Sequence, residues 1–219
     1  VFMPKDVPEA NKKECLLAGA EVTLVDGLIS DAGRLAVSVA EEQGLFDLST
    51  LKEPYRVEGK KTMALEMAMQ LGWNMPDVIV YPTGGGTGII GMFKGFLELL
   101  ELGWVDGRPP RFMAVQPTGC QPIVKAFDEG SSIAEPWNNA TTIADGLRVP
   151  SPFADYLILK AIRETGGTAV AVVDSEMVNA MHELASTEGV IASPEGAATL
   201  VVLKRLVGDG IIHAGETVV

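Results

Sequence analysis

The chain has 219 residues, 47% of them hydrophobic, and a formal net charge of −12, which is ample apolar material for one large domain or two small ones. The charge excludes nucleic acid as a partner, because phosphate backbones are bound by concentrated Lys and Arg and no basic cluster here exceeds Lys12-Lys13 and Lys60-Lys61. No apolar run approaches the ~20 residues of a membrane span, and Cys15 and Cys120 offer neither metal-ligand spacing nor a disulfide framework, so a cytoplasmic globular protein is expected.

In chain order, Phe2-Met3 reads as a strand entering a turn at 4–8, residues 9–18 as a helix ended by Gly19, and Glu21-Val22-Thr23-Leu24-Val25 as a strand. Asp31 is placed to N-cap a helix running to Gln43. Residues 45–55 lack periodicity and contain Pro54, which marks a domain boundary and gives two domains, 1–49 and 50–219. A helix is expected over 62–71, stopped by Gly72, with Lys60-Lys61 at its opening. That end of a helix is unfavourable for cations, so the pair is either solvated or in contact with a ligand. Strands follow at 77–81, 112–116 and 168–173, and helices at 122–128, 152–165 and 175–185, with a polar loop at 130–141. Ser193 caps a last helix, with Pro194 at its first position and Glu195 in its first turn; it runs to Val207. Strands alternating with helices along the whole chain predict an α/β fold, a mostly parallel sheet sandwiched by helices. No internal repeat is evident.

The segment Tyr81-Pro82-Thr83-Gly84-Gly85-Gly86-Thr87-Gly88-Ile89-Ile90-Gly91 carries the functional signal. It joins the apolar strand Asp77-Val78-Ile79-Val80-Tyr81 to an amphipathic helix through four glycines in five positions. Glycine lets consecutive backbone N–H groups turn towards an anion, and the positive end of the following helix adds to the attraction. No Walker lysine follows, so a P-loop nucleotide site is disfavoured. Gly86, Gly88 and Gly91 satisfy a G-x-G-x-x-G spacing, but a dinucleotide site requires an acid about twenty residues on, at the end of the next strand. Asp106 has the count and sits in a turn ahead of that strand, which itself ends in Gln116-Pro117. A plain phosphate cup is the preferred reading, with a dinucleotide site and a ligand-free turn kept as alternatives.

Other residues carry less. Gln116-Pro117-Thr118-Gly119-Cys120 follows a strand, where ligands bind in open α/β sheets, yet an ordinary strand-to-helix turn is the favoured reading. Cys120 lacks a nearby cation to activate it as a nucleophile. Glu195 faces a ligand or complements a helix dipole, and the dipole role is favoured. His182 and His213, without acidic partners at ligand spacing, make no metal site. Val1 and Val218-Val219 fall inside strand patterns, so a longer polypeptide is expected.

Six strings, in order, resemble threonine synthase, a pyridoxal 5'-phosphate enzyme of the tryptophan synthase β-like fold (fold type II). They are Val1-Phe2-Met3-Pro4-Lys5-Asp6-Val7-Pro8, Gly19-Ala20-Glu21-Val22, Tyr55-Arg56-Val57-Glu58-Gly59-Lys60-Lys61-Thr62, the glycine loop, Asp145-Gly146-Leu147-Arg148-Val149-Pro150 and Ser193-Pro194-Glu195-Gly196-Ala197-Ala198. The resemblance implies that Gly84, Gly85, Gly86, Thr87 and Gly88 hold the cofactor phosphate and that Glu195 lies near the cofactor ring. It makes 1–49 the remainder of a small domain and 50–219 the large phosphate-binding domain, in a protein that turns O-phosphohomoserine and water into threonine and phosphate. A homodimer is commonly formed in this family. Of the ten lysines, none stands in the family's Schiff-base context, so the chain is expected to lack its catalytic lysine and to be inactive alone. A threonine or serine dehydratase, a cysteine-synthase-like enzyme and a non-catalytic binding domain remain the alternatives.

Overall fold

The computed structural model describes residues 1–219, and the chain divides into two compact units, Val1–Glu53 and Pro54–Val219. In the first, β1 (Phe2–Pro4) pairs in parallel with β2 (Thr23–Val25), Met3 opposite Leu24. Between them runs α1 (Glu9–Leu17), which buries no side chain, and after them α2 (Ile29–Gln43) packs on β1. Asp31 does not sit at the N-cap. The helix starts two residues earlier, and Asp31 reaches back from the first turn to accept the Leu28 N–H at 2.7 Å. A carboxylate there still meets orphan N–H groups, so the capping chemistry is conserved while the position shifts.

The second unit is built on a parallel sheet of order β3-β4-β5: β3 (Val78–Pro82), β4 (Arg111–Pro117) and β5 (Thr168–Val172). Val218 bridges in parallel to Val78 beside β3. One sheet face buries Val78, Val80, Met113, Val115 and Val172 with Met177 of α7 (Asp174–Thr187) and Ala198, Val202 and Leu206 of α8 (Pro194–Gly208). Alternation along β4 turns Phe112, Ala114 and Gln116 to the other face. There Phe93 of α4 (Thr87–Glu101) meets Phe112 edge-on, with ring centroids 6.2 Å apart. Two further helices, α5 (Pro122–Asp128) and α6 (Asp155–Glu164), pack against β4. These near-continuous apolar strands, covered on both faces, are what a buried parallel sheet requires.

The helix before β3 is longer than its periodicity suggests. α3 spans Tyr55–Gln70, so Lys60 and Lys61 lie inside it and not at its start. The extra residues, about two turns, are anchored by charge. Glu58 and Glu98 bracket Lys61 and Lys94, with Lys61 at 2.5 Å from Glu58 and 2.6 Å from Glu98, Lys94 at 2.9 Å from Glu58, and Lys94 also paired with Glu98. Below this network, Ala64 and Ala68 are buried, and a Cβ added to Gly95 would lie 2.8 Å from the Ala64 Cβ, so the two helices approach closely. Both end in the same tripeptide, Leu71-Gly72-Trp73 and Leu102-Gly103-Trp104, and the two indoles meet edge to face at 5.4 Å. No helix is long and apolar enough to cross a membrane.

Candidate functional site

The glycine loop leaves the carboxyl end of β3 and opens α4, with Gly86 at the N-cap in left-handed backbone, φ +80°. Thr83 is fully buried and saturated: its N–H donates to the Val115 carbonyl at 2.8 Å, its hydroxyl donates to the Tyr81 carbonyl at 2.9 Å, and its own carbonyl accepts from Gln116 Nε2 at 3.0 Å. Beyond Thr83 the pattern reverses. The N–H groups of Gly84, Gly85, Gly86, Thr87, Gly88 and Ile89 find no acceptor in the protein, nor does the Thr87 hydroxyl find a partner. Gly84, Gly86, Gly88 and Ile89 are nevertheless buried. Buried backbone donors are almost always paired, so six consecutive free N–H groups at the positive end of a helix form a cradle suited to a compact anion.

Neighbouring backbone holds this cradle tightly. A Cβ on Gly84 would lie 2.4 Å from the Gly146 carbonyl oxygen, and one on Gly88 would lie 2.3 Å from the Tyr81 hydroxyl. Gly146 belongs to a short 3-10 turn, Asp145–Leu147. Its N–H donates to Glu195 Oε1 at 3.0 Å, while Ser193 caps α8 by accepting the Gly196 N–H at 3.4 Å. Three strings far apart in sequence, 82–91, 145–150 and 193–198, therefore meet. Burial pushes the Glu195 carboxyl up, but its own backbone N–H, the Ser193 hydroxyl and the Gly146 N–H together hold it below the usual glutamate range. A group so depressed contributes stability above its unfolded value and loses it as pH falls through the folded one, so the Glu195 to Gly146 link is strongest at neutral pH and weakened in acid.

Sequence reasoning placed Gln116 at the end of a strand and gave its side chain no role of its own. Its side chain is fully buried and bridges two loops, donating to Thr83 and accepting the N–H groups of Ile123 at 2.8 Å and Val124 at 3.2 Å. The signal was available: an amide at the end of the otherwise apolar run Phe112-Met113-Ala114-Val115. Cys120 is buried beside it, and burial pushes its thiol up to about 11 against a weaker pull from the Val149 backbone and Arg148. That thiol is no nucleophile at neutral pH. Iodoacetamide at pH 8 should label Cys15, which is partly exposed, and spare Cys120 until the protein is denatured; peptide mapping of the two thiols reads the difference.

The remaining candidates lie elsewhere. Asp106 lines an open cleft of about 790 Å³ that also takes in Trp73, Trp104, Asp77 and Arg111. Those residues precede or begin the strands, so the cleft is at the amino ends of the sheet, opposite the glycine loop, and Asp106 is out of reach of any ribose held there. The third glycine of the G-x-G-x-x-G spacing serves helix packing: a Cβ on Gly91 would meet Lys60 Cβ at 2.5 Å. His182 and His213 are exposed, and no cluster of His, Cys, Asp and Glu could hold a metal.

A parallel sheet covered by helices, with a glycine turn at the carboxyl end of β3 opening the next helix, defines an α/β class in which ligands bind at the carboxyl ends of the strands. The chain belongs to the pyridoxal-phosphate dependent enzyme family, which matches residues 1–219. It is 38% identical over 206 residues to the threonine synthase of Methanosarcina acetivorans and 35% identical over 206 residues to that of Methanocaldococcus jannaschii, covering 94% of this chain in each case. The chain spans about half the length of these relatives, 50% of each. Its fold is that of a maize serine racemase (TM-score 0.78, 21% identity, 99% of this chain and 62% of that one) and of threonine deaminase isoform 2 from Solanum lycopersicum (TM-score 0.78, 20% identity, 99% and 59%). The tryptophan synthase β-like architecture expected from the resemblance is thus the one observed.

Proposed function

We propose that this chain supplies the phosphate subsite of a pyridoxal 5'-phosphate-dependent threonine synthase, which acts on O-phosphohomoserine and water. The observation that carries the reading is the run of six unpaired N–H groups, 84–89, at the start of α4. A phosphate dianion fits that donor set: several N–H groups converge on it, the helix dipole opposes its charge, and the Thr87 hydroxyl adds a donor. The lack of side chains at Gly84, Gly85, Gly86 and Gly88 lets the anion approach the backbone, and the tight contacts with Gly146 and Tyr81 keep the donors aimed. Glu195 acts through Gly146, steadying the loop that backs Gly84, and remains a candidate neighbour of the cofactor ring. When bound, pyridoxal phosphate supplies the electron-withdrawing ring that stabilises carbanions of an amino-acid substrate. The first unit, on this reading, is part of a small domain and the second the large, phosphate-binding one.

We further infer that the lysine linking the cofactor lies outside these residues. Lys5, Lys12, Lys61, Lys94, Lys125, Lys160 and Lys204 are each ion-paired to a carboxylate, which engages each amine with a partner other than a cofactor. Lys13 and Lys52 lie in the first unit, and Lys60, which packs its stem against Gly91, is the lysine to watch. Treating the chain with pyridoxal 5'-phosphate and borohydride, then mapping by mass spectrometry, should yield no specific pyridoxyl-lysine; efficient labelling of Lys60 with turnover would overturn the inference. In the complete polypeptide, O-phosphohomoserine should release phosphate and form threonine. Keto-acid formation from threonine or serine would favour a dehydratase instead, and absence of both activities a non-catalytic binding protein.

A further inference from the structure

We propose that Gln116 is a positioning residue for the cofactor phosphate, a role that rests on the reading of 84–89 as the phosphate subsite. Its carboxamide is the one side-chain link between the glycine loop and the start of α5. Nε2 donates to the Thr83 carbonyl at 3.0 Å, and Oε1 accepts the N–H groups of Ile123 and Val124 at 2.8 and 3.2 Å. With its N–H and hydroxyl also bonded, Thr83 is held at all three polar groups, and the next peptide begins the row of free donors. The orientation of the Thr83 carbonyl fixes the plane of the peptide that carries the Gly84 N–H, because the peptide unit is planar. Gln116 therefore aims the first donor of the cradle from the far side, without touching the ligand.

The chemistry of the amide is specific to this task. The Thr83 carbonyl needs a donor, and the α5 N–H groups need an acceptor, at the two ends of one short planar group. Glutamine offers both in neutral form, at a site where exposure is zero and a charge would be costly. A glutamate at 116 would retain the acceptor for α5 and, when ionised, oppose the Thr83 carbonyl with a second acceptor. Once protonated, its O–H would restore the missing bond.

The test uses the complete polypeptide, titrated with pyridoxal 5'-phosphate and with pyridoxal, which lacks the phosphate. Wild type should bind the phosphorylated form much more tightly. In Gln116→Glu at pH 8 that preference should fall about tenfold, the usual effect of leaving one buried polar group unpaired, while pyridoxal binding stays unchanged. Lowering the pH towards 6 should recover the preference in Gln116→Glu relative to wild type measured at the same pH. Gln116→Met, which can make neither bond, should lose the preference at both pH values. The proposal is overturned if both ligands weaken in parallel, as expected of a purely structural role, or if the preference survives in both variants. A wild type with no preference for the phosphorylated ligand would instead overturn the phosphate reading itself. Should Gln116→Met fail to fold, the pH dependence of Gln116→Glu decides alone.

Discussion

Gly84→Ala should weaken pyridoxal 5'-phosphate binding to the complete polypeptide by about a hundredfold, the scale on which an ångström of misplacement costs function. The added Cβ would lie 2.4 Å from the Gly146 carbonyl oxygen and 3.2 Å from Val149 Cγ2. The first of these is backbone, which cannot swing aside as the end of a side chain can. Gly146 is held in turn by its N–H bond to Glu195, so the loop must move away from 145–149 and carry its N–H groups off target. The control is Gly59→Ala, an interior position of α3 where the new Cβ meets nothing within 4 Å. There the same substitution should leave binding unchanged and raise stability by about 0.5–1 kcal/mol. Spectroscopic titration of cofactor binding, with a melting curve for each variant, separates the two. Wild-type affinity in Gly84→Ala would show that the loop does not hold phosphate in this geometry.

Phe112→Ala should cost about 3–5 kcal/mol, a large part of the ~5–15 kcal/mol that holds a typical protein folded. Phe112 is fully buried at the start of the central strand and faces Phe93 of α4. Its neighbourhood has little freedom to collapse into the space left behind. Its N–H donates to Thr165 Oγ1 at 3.2 Å, and its backbone is so close to Gly167 that a Cβ there would lie 1.9 Å from the Phe112 oxygen. The same strand carries Gln116 next to its end, so loosening its start should also lower phosphate affinity. Urea unfolding of the complete polypeptide measures the loss, and a midpoint close to wild type would show that this core position is not packed as described.

The elements most legible in the sequence were those with one cause. The strand 77–81, the glycine turn and the helix after it each follow from local pattern, and Ser193 with Pro194 marks the start of α8 where it occurs. The misplaced start of α3 is different in kind. Tyr55 to Lys61 is a weak helix on propensity, interrupted by Gly59, and becomes helical because Glu58 and Lys61 find Lys94 and Glu98 on a helix more than thirty residues away. Lys60-Lys61, read as an odd pair of cations at a helix opening, thereby becomes one buttressing stem and one ion pair.

For the proposed site, the sequence by itself determined that a glycine turn lies between the strand and the helix that follows it, because glycine spacing and helix polarity are local properties of the chain. It also determined the family, through six ordered strings spread over its length. Only the tertiary structure decided what gives the cradle its shape. Gly146, Glu195 and Gln116 reach the loop through bonds and contacts between residues 33 to 62 positions apart, and no local pattern encodes which buried amide or carboxylate will meet which backbone group. Glycine supplies backbone freedom; contacts with Gly146 and Tyr81 hold the turn in a conformation in which six N–H groups remain unpaired.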